Sequence, residues 1–183
     1  MLQADAYFMA SKYTEAIVAY EDFLRRNPTD SKVPFAAFRI ASAYDKQSPE
    51  AKDREQYFAI KALEKYANFI EIHKDSSYFS EAKERFSVLK RRFADHNLFV
   101  ADFYFRRESF QAALGRYLSL EKAYPEYTDI LSKSRAQTSL CYEKLALELE
   151  ADPKSDLKRI FLDTTPDKLR EEAKKYALKA TAK

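Results

Sequence analysis

The sequence predicts an all-α protein, a solenoid of helical hairpins, and three observations predict it. The 183 residues contain a single glycine, Gly115, and six prolines. Strand-rich and nucleotide-binding folds need many glycines for turns and phosphate loops, so one glycine points to helices joined by short polar turns. An alanine, an aromatic four residues on and a large apolar residue three further recur three times, as Ala16-Tyr20-Phe23, Ala62-Tyr66-Phe69 and Ala113-Tyr117-Leu120. Each triplet lies on one face of a helix. Upstream of each stands a small residue with a tyrosine three later: Ala4 and Tyr7, Ala41 and Tyr44, Ala101 and Tyr104.

Self-similarity of this kind is the signature of a repeat array. The small residue and tyrosine belong to the first helix of each pair, the triplet to the second, and the pattern is tetratricopeptide-like. The alanine admits the partner helix and the tyrosine is expected to fill the space beside it. Pro28 and Pro125 follow two of the second helices, where proline prevents helical continuation. The repeat alanines are farther apart than the usual period of about 34. Two features account for the excess. Asp45 to Gln56, with Pro49, reads as a polar loop. Tyr78 to Arg107 reads as one long helix with a slip near Asp95–Asn97, its start capped by Ser77 or Ser80. After Pro125 a helix is predicted over about Thr128 to Glu150, anchored by Ile130, Leu131, Leu140, Tyr142, Leu145 and Leu149, and ended by Asp152-Pro153. Thr165-Pro166-Asp167 suits the start of a last helix, with Leu169, Ala173, Tyr176, Ala177 and Ala180 as its apolar stripe. The predicted organisation is therefore helical repeats over 1–150 (three to four pairs), a linker loop over 151–164, and a C-terminal helix over 165–183 packed on the array. Each pair exposes apolar surface that its neighbour covers. Stacking is expected to leave a concave surface, lined mainly by first helices, for extended peptides or partner domains.

The formal net charge is +3, and basic and acidic residues are interleaved. The clusters Arg25–Arg26, Lys90–Arg92 and Arg106–Arg107 are short and read as solvated faces, so no nucleic-acid surface is predicted. Cys141 is the one cysteine and reads as a small buried hydrophobe. No apolar run of about 18 residues exists to span a membrane. No signal peptide is visible. Met1-Leu2-Gln3-Ala4 enters a helical pattern without a cap, as in a chain trimmed at its start.

A search for chemistry yields no catalytic residue, no metal site and no cofactor. His73 and His96 lie in different segments, outside any ligand spacing, and read as surface histidines. One glycine excludes a Gly-rich phosphate loop, and no Gly-x-Ser-x-Gly elbow exists. The function expected is binding, not catalysis.

The segment Val100-Ala101-Asp102-Phe103-Tyr104-Phe105-Arg106-Arg107, then Phe110-Gln111-Ala112-Ala113, Arg116 and Tyr124-Pro125, resembles the BamD (YfiO/ComL-like) outer-membrane assembly lipoproteins. Asp75-Ser76-Ser77-Tyr78 resembles the family's turn, with Lys74 where proline is usual. Glu108 stands where the family has glycine. The resemblance runs over roughly Ala4 to Tyr127, and by it the array begins one repeat late.

The resemblance implies a scaffold on the periplasmic face of the outer membrane, held by an N-terminal lipid that this chain lacks. It implies binding to a BamA-like barrel protein through POTRA domains and to other assembly lipoproteins. It also implies assistance to unfolded outer-membrane proteins, whose C-terminal segments would enter an N-terminal pocket. Arg116 corresponds to an arginine that contacts BamA in the family, with Arg107 and Tyr104 nearby; Tyr104 also suits the aromatic filler of a first helix. Tyr7, Arg39 and Tyr44 would belong to the peptide pocket. A different tetratricopeptide adaptor, such as a cell-envelope coordinator or a secretion chaperone, is the alternative reading.

Overall fold

The computed structural model describes residues 1–152 and 164–181. Among the described residues there are eight helices and no strand: α1 Leu2–Met9, α2 Tyr13–Arg26, α3 Val33–Gln47, α4 Tyr57–Ile72, α5 Phe79–Arg106, α6 Phe110–Ala123, α7 Thr128–Ala151 and α8 Pro166–Thr181. The chain is all-α, as predicted. The long helix expected over Tyr78–Arg107 forms as α5, although it is the Ser76 hydroxyl, not Ser77 or Ser80, that accepts a bond at its start, from the Tyr78 amide at 3.2 Å. Of the loop expected over 151–164, residues 153–163 lie outside the described residues. The chain forms two compact units, Met1–Phe93 and the remainder from Ala94.

In the first unit α1 packs on α2, α2 on α3 and α3 on α4. One core joins Ala4 of α1, Ala16, Ile17 and Tyr20 of α2, and Ala36, Ile40 and Ala43 of α3. A second joins Phe38 and Ala41 of α3, Ala62, Tyr66 and Phe69 of α4, and Ala82 and Leu89 of α5. Helix α3 is thus buried on both sides, as the central member of a nearest-neighbour stack must be. The repeat alanines are fully buried, and the second-helix tyrosines Tyr20, Tyr66 and Tyr117 are at most 1% exposed. The first-helix tyrosines Tyr7, Tyr44 and Tyr104 are only half-buried, so the filler role falls on the second helix of each pair. Buried hydroxyls need partners. Tyr20 donates to Asp5 at 2.6 Å, and Tyr117 donates to Asp102 at 2.6 Å. Tyr66 lies 3.3 Å from the Ser42 hydroxyl. In all three cases that hydrogen-bond partner directly follows the small residue of the first helix.

The expected Asp45–Gln56 loop is shorter. Helix α3 runs on through Gln47, and Asp45 is buried in its last turn. A buried carboxylate requires a countercharge. Arg85 of α5 supplies it, with Nη2 at 2.6 Å and Nε at 2.8 Å from Oδ2. Arg92 Nη2 donates to the Pro49 carbonyl at 2.6 Å and ties the remaining loop to α5.

In the second unit α6 packs on α7, and α7 on α8. Cys141 is fully buried, and Leu140, expected as an anchor, is 42% exposed instead. A one-residue step turns a side chain about 100° round a helix, so Cys141 and Leu145 occupy the inner face. The α8 start forms as predicted, with the Lys168 amide donating to Thr165 Oγ1 at 3.3 Å. Leu169 and Ala173 are buried, whereas Ala177 is exposed. The hydroxyls of Ser139 and Ser132 on α7 donate to the Ala173 and Ala180 carbonyls. Arg135 pairs with Glu121 at 2.7 Å, linking α7 to α6.

Candidate functional site

Helix α5 ends in Phe103, Tyr104, Phe105 and Arg106, and the chain reverses through Arg107, Glu108 and Ser109 into α6. The reversal uses Glu108 at φ 58°, with the Glu108 and Ser109 amides donating to the Phe105 and Tyr104 carbonyls. A left-handed residue closing the last turn of a helix suits glycine, which lacks the Cβ that strains this region. The same turn occurs between α1 and α2, with Ser11 at φ 57°.

This reversal brings Arg116 of α6 over Tyr104 of α5, its guanidinium carbon 5.4 Å from the ring centroid. Tyr104 meets Phe103 edge-on at 5.7 Å, and Arg107 lies 5.3 Å from the Phe103 centroid. The result is a continuous row, Arg107–Phe103–Tyr104–Arg116. Arg106 lies over Phe99 at 6.0 Å. Cation–π contacts hold the guanidiniums in place without neutralising them. None of these three arginines has a carboxylate partner within ion-pair distance among the described residues. Beside Arg116 opens a cavity of about 400 Å³ between the faces of α5 and α6. Gly115, Ala112 and Ala123 form its α6 side. Asn97 and Tyr124 close it, the Asn97 amide donating to the Tyr124 hydroxyl at 2.9 Å.

The other three candidates are not gathered this way. Tyr7 accepts a bond from Gln3 at 3.3 Å and lines a cavity of about 700 Å³ with Thr14, Val18 and Asp22; neither Arg39 nor Tyr44 is in its walls. Arg39 lies 4.5 Å from the Phe8 centroid and 5.1 Å from that of Phe35, and its Nε is buried without a hydrogen-bond partner. Burial, followed by the negative potential of Glu21, pushes the Tyr44 hydroxyl above its ordinary range. Phe35 lines a separate cavity of about 510 Å³ with Lys32, Ser77 and Tyr78, near the starts of α1, α3 and α5. Of these wall residues, Ser77 and Tyr78 were singled out from sequence only as a turn and helix start, and Phe35 and Lys32 not at all. The only available signal was the cluster of apolar and turn residues ahead of each first helix.

Burial pushes the Cys141 thiol up to about 12, so it stays protonated at neutral pH, the opposite of an activated nucleophile. His73 is half-buried against Phe69, with ring centroids 5.1 Å apart, and burial lowers its pKa. It remains partly exposed at the surface, with one ring face covered by Phe69. Among the described residues no group of three or more His, Cys, Asp or Glu could hold a metal, and no helix is long and apolar enough to cross a membrane.

The family model described as YfiO, outer membrane lipoprotein, matches residues 1–157. The chain belongs to the YfiO family. Its relatives include the outer membrane protein assembly factor BamD of Vibrio cholerae, 28% identical over 151 residues, covering 78% of this chain and 62% of the relative. BamD of Haemophilus influenzae is 24% identical over 168 residues, covering 87% and 60%. BamD of Xylella fastidiosa strain 9a5c is 23% identical over 156 residues, covering 78% and 53%. The chain thus spans between half and two thirds of the length of these YfiO-family relatives. The row at the end of α5 falls inside the matched region, as do Tyr7, Arg39 and Tyr44.

Proposed function

We propose that this YfiO-family chain is a non-enzymatic scaffold of the outer-membrane β-barrel assembly machinery. It binds a BamA-like barrel protein through its POTRA domains, together with other assembly lipoproteins, and assists folding and insertion of outer-membrane proteins at the periplasmic face. An N-terminal lipid would hold it there. Arg116 and Arg107 make the contact, and Tyr104 orients Arg116. The observation that carries the reading is the pair of ring-held guanidiniums without carboxylates among the described residues, one of them, Arg116, at a largely apolar cavity. Such a surface offers charge to an acidic partner at little ordering cost. The relatives' name, outer membrane protein assembly factor, supports the same reading. On the first unit, C-terminal segments of unfolded outer-membrane proteins would bind where Arg39 backs Phe35, whose supporting core Tyr7 and Tyr44 also pack against.

The test is surface plasmon resonance between the full chain and the POTRA fragment of the cognate BamA-like protein. Arg116→Glu should weaken binding by about tenfold or more, as expected of a central arginine, with unchanged helical circular dichroism. Unaltered affinity would remove the basis of the proposal and favour a different tetratricopeptide adaptor.

A further inference from the structure

Gly115 is the only glycine of the chain, and it sits in the interior of α6. Apart from proline, glycine is the least favourable residue for such a position. Its usual reasons are missing. Its φ is not positive, and a Cβ built on it would meet nothing within 4 Å. No neighbouring helix in the described structure needs the space. What the missing side chain leaves open is the cavity beside Arg116, whose walls include Asn97, Ala112, Leu120, Ala123 and Tyr124. The cavity is more apolar than polar; of its polar wall groups Asn97 donates to the Tyr124 hydroxyl, Ser119 donates to the Gly115 carbonyl, and Gln111 completes the wall beside Arg116. At about 400 Å³ it has room for one large side chain, with slack, but not for a folded element.

We propose that this cavity receives one large apolar side chain of a partner segment whose adjacent carboxylate pairs with Arg116. The proposal rests on the partner-binding reading of Arg116 and deepens it. The occupant follows from charge and shape together. An uncompensated guanidinium stands at the rim, held by Tyr104 at 5.4 Å, and an uncharged hollow lies next to it. A segment carrying only acids would satisfy the rim and leave the hollow wet. A segment carrying only apolar residues would leave the guanidinium unanswered. An acid beside a Leu, Phe or Met satisfies both, so Arg116 supplies charge selection and Gly115 supplies shape selection. Buried anchors of this kind, ringed by polar contacts, dominate protein interfaces.

Gly115→Leu fills the hollow while leaving the Arg116 guanidinium in the sequence, and Gly115→Ala fills it in part. Neither meets a neighbouring atom at its Cβ, and both replace a poor helix former, so each variant should melt at or above the wild-type temperature. Two measurements test the idea on the full chain. The first is affinity for the POTRA fragment, where Gly115→Leu should lose about tenfold or more and Gly115→Ala less. Arg116→Glu losing affinity while Gly115→Leu does not would overturn the cavity proposal and leave the functional reading intact. Both variants binding like wild type would overturn both. The second needs no known partner: a random peptide display library selected on the wild-type chain and counter-selected on Gly115→Leu. Enrichment of an acid next to a large apolar residue is the expected result. No enrichment, or enrichment without that pairing, would overturn the proposal. Self-association that Gly115→Leu abolishes in sedimentation would also overturn it, by making a second copy of the chain the occupant.

Discussion

The Tyr117 hydroxyl donates a 2.6 Å hydrogen bond to Asp102, fifteen residues upstream, and Tyr20 makes the same bond to Asp5 across the same separation. Each ties the second helix of a hairpin to the first beside the alanine where the two come close. Removing the hydroxyl leaves a part-buried carboxylate without its donor, and an orphaned group costs more than the bond contributed. Tyr117→Phe and Tyr20→Phe should each destabilise by about 1–2 kcal/mol. The two pairs lie in different compact units and share no partner. The double variant should therefore show the sum of the two losses in urea unfolding. A double variant no worse than either single one would mean the hydroxyls are satisfied otherwise.

Alkali should unfold the protein by way of its buried tyrosines and Cys141. Burial pushes Tyr66 and Tyr142 up from 10.0 to about 12 and Cys141 up from 9.0 to about 12, and it raises Tyr20 and Tyr117 further still. In each case the native state favours the neutral form. The stability so contributed is fully present below the unfolded-state values and is lost as pH rises through the folded-state ones. The urea midpoint should therefore be insensitive to these groups up to about pH 9 and fall steeply between about pH 9 and 12. A midpoint unchanged across that window would show that they ionise equally in both states.

Glu108 at φ 58° holds the α5–α6 reversal in a conformation that costs a side-chain-bearing residue about 1–2 kcal/mol. Glu108→Gly removes that strain. Part of the gain is offset by the greater freedom of glycine in the unfolded chain, leaving a net stabilisation of about 1 kcal/mol. Ser11→Gly should act in the same direction at the equivalent turn. The measurement is the urea midpoint of each variant, and a fall for both would mean that side-chain contacts at the turn outweigh the backbone term.

Much of the fold was legible because its strongest signal is local. Ala62, Tyr66 and Phe69 lie within eight residues on one helix face, and all three are buried. What escaped was non-local. Asp45 reads as loop because it opens a polar run, yet Arg85, forty residues on, neutralises it inside α3. Leu140 reads as core because a helical wheel cannot say which of two adjacent faces meets α8. At the site, Arg116 and Tyr104 were named together, but not the ring sequence through Phe103 that joins them to Arg107. Which ring an arginine covers depends on the angle of the α5–α6 reversal, and no residue spacing encodes it. Gly115 was visible only as a count, because its meaning depends on the empty space opposite its missing side chain.

The Asp45–Arg85 pair carries the last prediction. The Asp45 side chain is 4% exposed and its partner 40%. Removing the arginine leaves a buried carboxylate whose remaining neighbour, the Tyr66 hydroxyl, is 3.5 Å away. Arg85→Met should therefore cost about 2 kcal/mol, below the 3–5 of a fully buried pair because the exposed guanidinium is partly screened. The loss should appear as a lower urea midpoint with an unchanged slope. Adding Asp45→Asn removes the stranded charge and should restore part of it, since an amide is far less costly to bury than an unpaired carboxylate. If the double variant is less stable than Arg85→Met alone, the carboxylate has a second stabilising partner and Arg85 is not what keeps it inside α3.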